Sequence, residues 1–281
     1  MDGAVESVAR EGARELGQRA VAIDVSLDEF VAMAAVAGRP APPWVDPSPL
    51  SSAGDEVRTA VLASATRSLQ ARRMVTDAGE LAAPIMALVQ VITRPELVVT
   101  EAAPGRLADQ AITASAEVGV HHARLGPHLH RLTAFPTEDL SVWLDRMIGV
   151  DEAPEGGAEG APVDLPAALL RFPPPAAEVD PAVQAAGVPS DDRAELASAL
   201  RQGGLRVAEA VWLESEGRVR GAQVAWIARP AGGAWLVPSE VATDEPPERV
   251  AVVPCTRADL TQELLACLPS RDVDDGSGAS G

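Results

Sequence analysis

The apolar pattern of this chain passes through one order of elements twice, and that repetition limits the fold more than any motif does. In the first half, helical text gives way to strand-like runs at about 97–103, 110–118, 120–125 and 128–135. A short helix then opens at Pro136-Thr137-Glu138-Asp139-Leu140. The second half reads as a helix at Ser190–Gln202, strand-like runs at 205–215, 218–229, 234–240 and 249–254, and a helix opening at Cys255-Thr256-Arg257-Ala258-Asp259-Leu260. Apolar residues at alternate positions mark the strands, and those recurring every third or fourth position mark the helices. Two such units predict an α+β fold: a central antiparallel sheet with a quasi-two-fold internal repeat, flanked by helical bundles. A broad sheet of this kind is a platform more than a chemical pocket.

Before the first set of strands, Val21–Val25 alternates like a strand, and Ser26-Leu27-Asp28-Glu29 forms a capping box for a helix running to about Ala37. Gly38 and Pro40 stop it. Residues 39–54 read as an extended connector that Trp44 anchors to the body. Helical spacing follows over Asp55–Arg73 and from Leu81 to Arg94-Pro95, and Leu165–Leu170 reads as one or two helical turns. The expected organisation is one domain over 20–269, with halves at about 20–150 and 163–269. A flexible Glu-, Gly- and Pro-rich connector at 151–162 joins them, residues 1–18 are loose, and 270–281 form a disordered tail.

A two-residue turn at Glu216-Gly217 would pair Val207 with Trp226 and Trp212 with Gly221. Val207, Val211, Leu213, Val224 and Trp226 then make a core face. Arg206, Trp212, Glu214, Gln223 and Ile227 make a mixed, partly exposed one. A half-exposed Trp among Arg and Gln has the composition of a protein-binding hot spot, so Arg206, Trp212, Gln223 and Ile227 are candidate partner contacts beside the plainer reading of core packing.

Composition excludes several chemistries. The 281 residues include no Lys, Asn or Tyr, and all 23 basic residues are Arg. A phosphate-loop lysine, a Schiff base and a lysine general base are therefore impossible. Forty-one acidic side chains leave a net charge of −18, which repels phosphate backbones and anionic lipid, so neither nucleic acid nor membrane is an expected partner. Cys255 and Cys267 have no zinc-motif spacing and read as reduced packing residues of a cytoplasmic protein. Met1–Arg10 lacks the features of a signal peptide, and the longest apolar run, Phe30–Ala37, is too short to span a bilayer.

The four histidines, His121, His122, His128 and His130, crowd into one segment. A hairpin centred on Gly126 would put His122 opposite His130, with His128 on the same face. That set suits zinc or a pH sensor, and it defines one alternative, a metal-dependent hydrolase using His122, His128 and His130. No carboxylate lies nearby to orient the rings, and Arg124 and Arg131 oppose a cation, so exposed strand histidines without metal are the preferred expectation. There is no Gly-x-Ser-x-Gly elbow and no Gly-x-Gly-x-x-Gly fingerprint, so the chain reads as a non-enzyme without cofactor. A second alternative is a structural subunit that dimerises through the duplicated sheet, and both monomer and dimer stay open.

Three stretches resemble the EspG family, chaperones associated with ESX (type VII) secretion in actinobacteria. They are Val21–Gly38 with Leu27-Asp28-Glu29-Phe30, Arg72-Arg73-Met74-Val75 with Leu81 and Arg94-Pro95-Glu96, and Gly203–Leu268 with Gly204-Leu205-Arg206-Val207, Ala234-Trp235-Leu236-Val237 and Asp259-Leu260. The resemblance implies a quasi-two-fold sheet between helical bundles and a cytosolic chaperone. Its partner would be a secreted helical client, a PE–PPE-like heterodimer held before export. It also implies that the loop from Glu101 to Gln110, with Arg106, Leu107 and Asp109, grips that client together with helices of the second half.

Overall fold

Ser26 turns the chain from strand to helix. Its hydroxyl accepts from the Glu29 N–H at 3.1 Å while the Glu29 carboxylate accepts from the Ser26 N–H at 2.9 Å, so β1 (Val21–Ser26) runs directly into α1 (Leu27–Val36). The same carboxylate accepts from Ser68 Oγ at 2.7 Å and Arg72 Nη1 at 3.0 Å, which fixes α1 against α2 (Asp55–Ala71). The computed structural model describes residues 21–47, 50, 52–103, 106–152, 160–171, 175–188, 190–202, 205–214, 218–239 and 247–269. The expected loose start, the disordered tail, most of the 151–162 connector and the Glu216-Gly217 turn lie outside these residues.

After α3 (Ala83–Thr93) come β2 (Leu97–Ala102), β3 (Gln110–Ala114), β4 (Val118–Gly126), β5 (Leu129–Pro136) and α4 (Leu140–Ile148). The second half holds β6 (Val163–Pro166), α5 (Ala167–Arg171), α6 (Val179–Ala185), α7 (Ser190–Arg201), β7 (Leu205–Leu213), β8 (Val219–Ala228), β9 (Ala234–Val237), β10 (Arg249–Cys255) and α8 (Arg257–Cys267). Among the described residues, each half is thus a strand, three α-helices, four strands and an α-helix. All ten strands join one antiparallel sheet in the order β1-β5-β4-β3-β2-β7-β8-β9-β10-β6, and the second five mirror the first about the β2–β7 pair. The α+β reading with an internal repeat is therefore correct, and the repeat is more complete than the sequence suggested. The helical turns expected over Leu165–Leu170 are α5, which starts two residues later, because Leu165 and Pro166 close the edge strand β6; Val163-Asp164-Leu165-Pro166 is too short to show a period, and its proline is tolerated at the sheet edge.

Register assigns the two faces. Leu97, Val99 and Glu101 of β2 lie opposite Trp212, Ala210 and Ala208 of β7, on the face that α4 and α8 cover with one shared core. The other face is covered twice. α1, α2 and α3 cover it over β1, β5 and β4, and α5, α6 and α7 over β9, β10 and β6. Trp44 packs against the first of these cores, as an anchor should. Thr256 and Asp259 form a second capping box at the start of α8.

The β7–β8 hairpin corrects the expected register by one residue: Leu205 pairs with Ile227 and Trp212 with Arg220. The Glu214 N–H donates to the Arg218 carbonyl at 2.8 Å, so three residues, not two, separate the closing pair. A one-residue slip moves every side chain of one strand to the other face relative to its partner. Trp226 and Val224 consequently share a face with Arg206 and Trp212, and Ile227 faces the second bundle.

On the α4 and α8 face, Phe135 stacks on Trp143 at 5.0 Å between centroids and lies across from Gly119. A Cβ on Gly119 would sit 2.3 Å from the Phe135 ring, so the bare backbone is what admits the aromatic pair. Gly119→Ala should lower stability by about 1–3 kcal/mol through overpacking, read as a fall in the urea midpoint at unchanged slope.

Candidate partner-binding surface

The loop between β2 and β3 is held by a chain of charges across the seam. Glu101, with its side chain 2% exposed, receives the Arg206 guanidinium through both oxygens, one of them at 2.6 Å. The same guanidinium reaches Asp109 at 3.3 Å, and Asp109 also pairs with Arg124 of β4. Burial pushes the Asp109 carboxyl up, but the two guanidiniums outweigh it and hold the acid below its usual range. Backbone bonds repeat the restraint: the Asp109 N–H donates to the Glu101 carbonyl at 3.0 Å and the Arg124 N–H to the Asp109 carbonyl at 2.9 Å. Arg106 and Leu107 are left exposed at the tip.

Of the residues singled out from the sequence, the structure therefore brings Arg206 and Asp109 together as parts of the frame and leaves Arg106 and Leu107 on the surface. Trp212 is half-buried in the core beneath α4 and α8. Gln223 is exposed on the opposite face. Ile227 is fully buried under the second bundle, so it is not a surface contact; the one-residue register difference put it there. Glu101 escaped the sequence reading as a structural residue because its partner is 105 positions away and only the β2–β7 pairing joins them.

Between the two helical bundles the sheet lies open. α3 packs over β3 and β4, where Ala111 and Thr113 are buried, and α7 shares its core with Ile227 and Trp235. On the strands between, Val98, Thr100, Ala102, Val207 and Val211 are half-buried and Glu209 and Gln223 are exposed. Glu209 is exposed in the middle of a central strand, and no helix of the described residues covers that stretch. The floor ends in Leu213 and Val219, paired across the strands and 57% and 69% exposed.

At the strand ends near the seam lies a cleft of about 620 Å³, floored by Glu101, Arg206, Gln110 and Trp226 and rimmed by Arg229. Arg206 is neutralised by Glu101, and Arg229 by Glu195 at 3.0 Å, so neither cation is spare for an anionic ligand.

The histidines do not form the set that a metal would need. The β4–β5 hairpin closes at Gly126–Leu129 with a register shift, which places His128 in the exposed turn. His122 and His130 correct the expectation of exposure: both are buried, with Nε2 of one and Nδ1 of the other 2.8 Å apart, against the Phe30 ring. Among the described residues no three His, Cys, Asp or Glu side chains converge. His121 lies on the other face, bonded to Gln110 at 2.8 Å and packed on Trp143. Burial and the neighbouring His130 push the His122 pKa down to about 3, and burial and Arg124 lower that of His130.

No known protein family matches the chain, and no curated protein matches it. Among the described residues no helix is long and apolar enough to cross a membrane.

Two outcomes follow from these contacts. Arg206→Met should destabilise the fold by about 3 kcal/mol, because it leaves Glu101 buried and unpaired, and denaturant melts check it. The His122–His130 pair sets an acid limit. Unfolded imidazoles take up protons near pH 6.5, but folded His122 resists until about pH 3, so its stability contribution is complete above 6.5 and is lost as pH falls from there toward 3. Urea midpoints measured across that range should fall with acid, and His122→Gln should flatten the slope.

Proposed function

We propose that this protein is a non-enzymatic chaperone of the EspG kind, which holds a secreted helical client such as a PE–PPE-like heterodimer in the cytoplasm until type VII export. The observation that carries the reading is the open floor of central strands between two helical bundles, beside a loop whose ends, Glu101 and Asp109, are both tied to Arg206. A duplicated sheet between bundles is the architecture that the EspG resemblance implies, and the resemblance supplies the class of client.

The mechanism is mass action. Covering the apolar surface of the client lowers the concentration of its free, aggregation-prone form in proportion to occupancy, and no bond is made or broken. Arg106 and Leu107 suit the role of contact residues because they are exposed in a loop whose ends are anchored by ion pairs, and an anchored loop loses less entropy on binding than a free one. The net charge of −18 favours clients whose exposed helices are basic.

Affinity capture of the tagged full chain from an actinobacterial host should recover a helical export substrate in stoichiometric amount. Leu107→Asp should reduce that recovery about ten-fold without changing the melting temperature. Capture that repeatedly yields no secreted protein at high expression would sink the reading.

A further inference from the structure

The open floor has the width of one helix. α3 lies over β3 and β4 and α7 packs on β8, so the two helices stand on either side of β2 and β7. The line between β3 and β4 is three and a half strand spacings, about 17 Å, from β8. Two successive helix–helix contacts need about 16–20 Å. A single helix therefore fills the gap in contact with both walls, and two do not enter side by side.

The floor also carries a charge signature. Val98 lies opposite Val211 and Ala102 opposite Val207, so the repeat makes an apolar floor that is nearly the same from either end. Its one break is the central pair, Thr100 opposite Glu209. Glu209 makes no ion pair among the described residues, and its neighbour on the other side is the uncharged Gln223. Closing this floor with an apolar helix would strip water from an unpaired carboxylate, which is unfavourable unless the helix brings a cation.

We infer that the slot between α3 and α7 takes one amphipathic helix of another polypeptide, with an apolar stripe interrupted near its middle by an Arg or Lys that pairs with Glu209. This deepens the chaperone reading, on which the biological source of the helix rests. A second copy of the chain is a poor occupant, because each copy brings a net charge of −18.

The test uses two fluorescein-labelled synthetic helices of about 20 residues with the same Leu/Ala stripe, one with Arg and one with Gln at its centre. By fluorescence anisotropy, the full chain should bind the Arg helix about ten-fold tighter than the Gln helix, with a preference that shrinks as salt rises. Glu209→Gln should remove the preference. Val211→Arg, with Thr100→Arg as a second floor substitution and thermal melts to verify folding, should remove binding of both helices.

Equal affinities, binding of neither helix, or binding that survives both floor substitutions overturns the inference. Binding that appears only after deletion of residues 2–20 assigns the slot to the chain's own start, and a dimer lost on Val211→Arg assigns it to a second copy; either overturns it too. Capture of an export substrate reads out separately. If Val211→Arg still captures the substrate, the slot fails and the chaperone stands; if the wild type binds the Arg helix but captures no substrate, the slot stands and the chaperone fails.

Discussion

Pairing of β2 with β7 is the contact on which the molecule depends, because among the described residues it is the only strand pairing that crosses from one half to the other. Six residues of each strand face each other, from Leu97 opposite Trp212 to Ala102 opposite Val207. Their alternation sends Val99 and Ala210 into the core beneath α4 and α8, and leaves Val98 and Val211 on the open side. The same pairing sets Arg206 within reach of Glu101. Seam, core, ion chain and floor all follow from one register.

That register also explains why the ion chain sits where it does. Glu101 is the inward-facing residue at the end of β2, and a lone carboxylate there would be prohibitively desolvated. Arg206 comes from the other half, and its planar fork meets both oxygens while reaching on to Asp109. A chain without lysine has only such forks to offer, and it places them at its joints: Arg72 between β1 and α2, Arg206 at the seam, and Arg229 between β8 and α7.

Legibility varied with the range of the interaction. The Ser26–Glu29 and Thr256–Asp259 capping boxes were readable because each is a contact between residues three apart. The long strands of both halves were readable for the same reason, since alternation is local. β6 was not, because four residues do not establish a period. The histidines failed differently. His122 and His130 sit in polar text beside arginines, and it is tertiary packing, with Phe30 of α1 against both rings, that shuts them from water. The surface was half legible: Arg106 and Leu107 lie in a loop that any reading would expose, whereas Ile227 was misplaced by one residue of turn length.

The sequence by itself determined the repeated order of elements, the helix caps, and a charge balance hostile to phosphate and anionic lipid, all of which are sums or short-range patterns. Only the tertiary structure decided which faces of the sheet the helices leave bare, which carboxylate is buried and which histidines are sealed. Those properties belong to pairs of residues as many as 115 positions apart, as Leu97 and Trp212 are (212 − 97), and chain-local patterns carry no information about which of many distant strands will be neighbours.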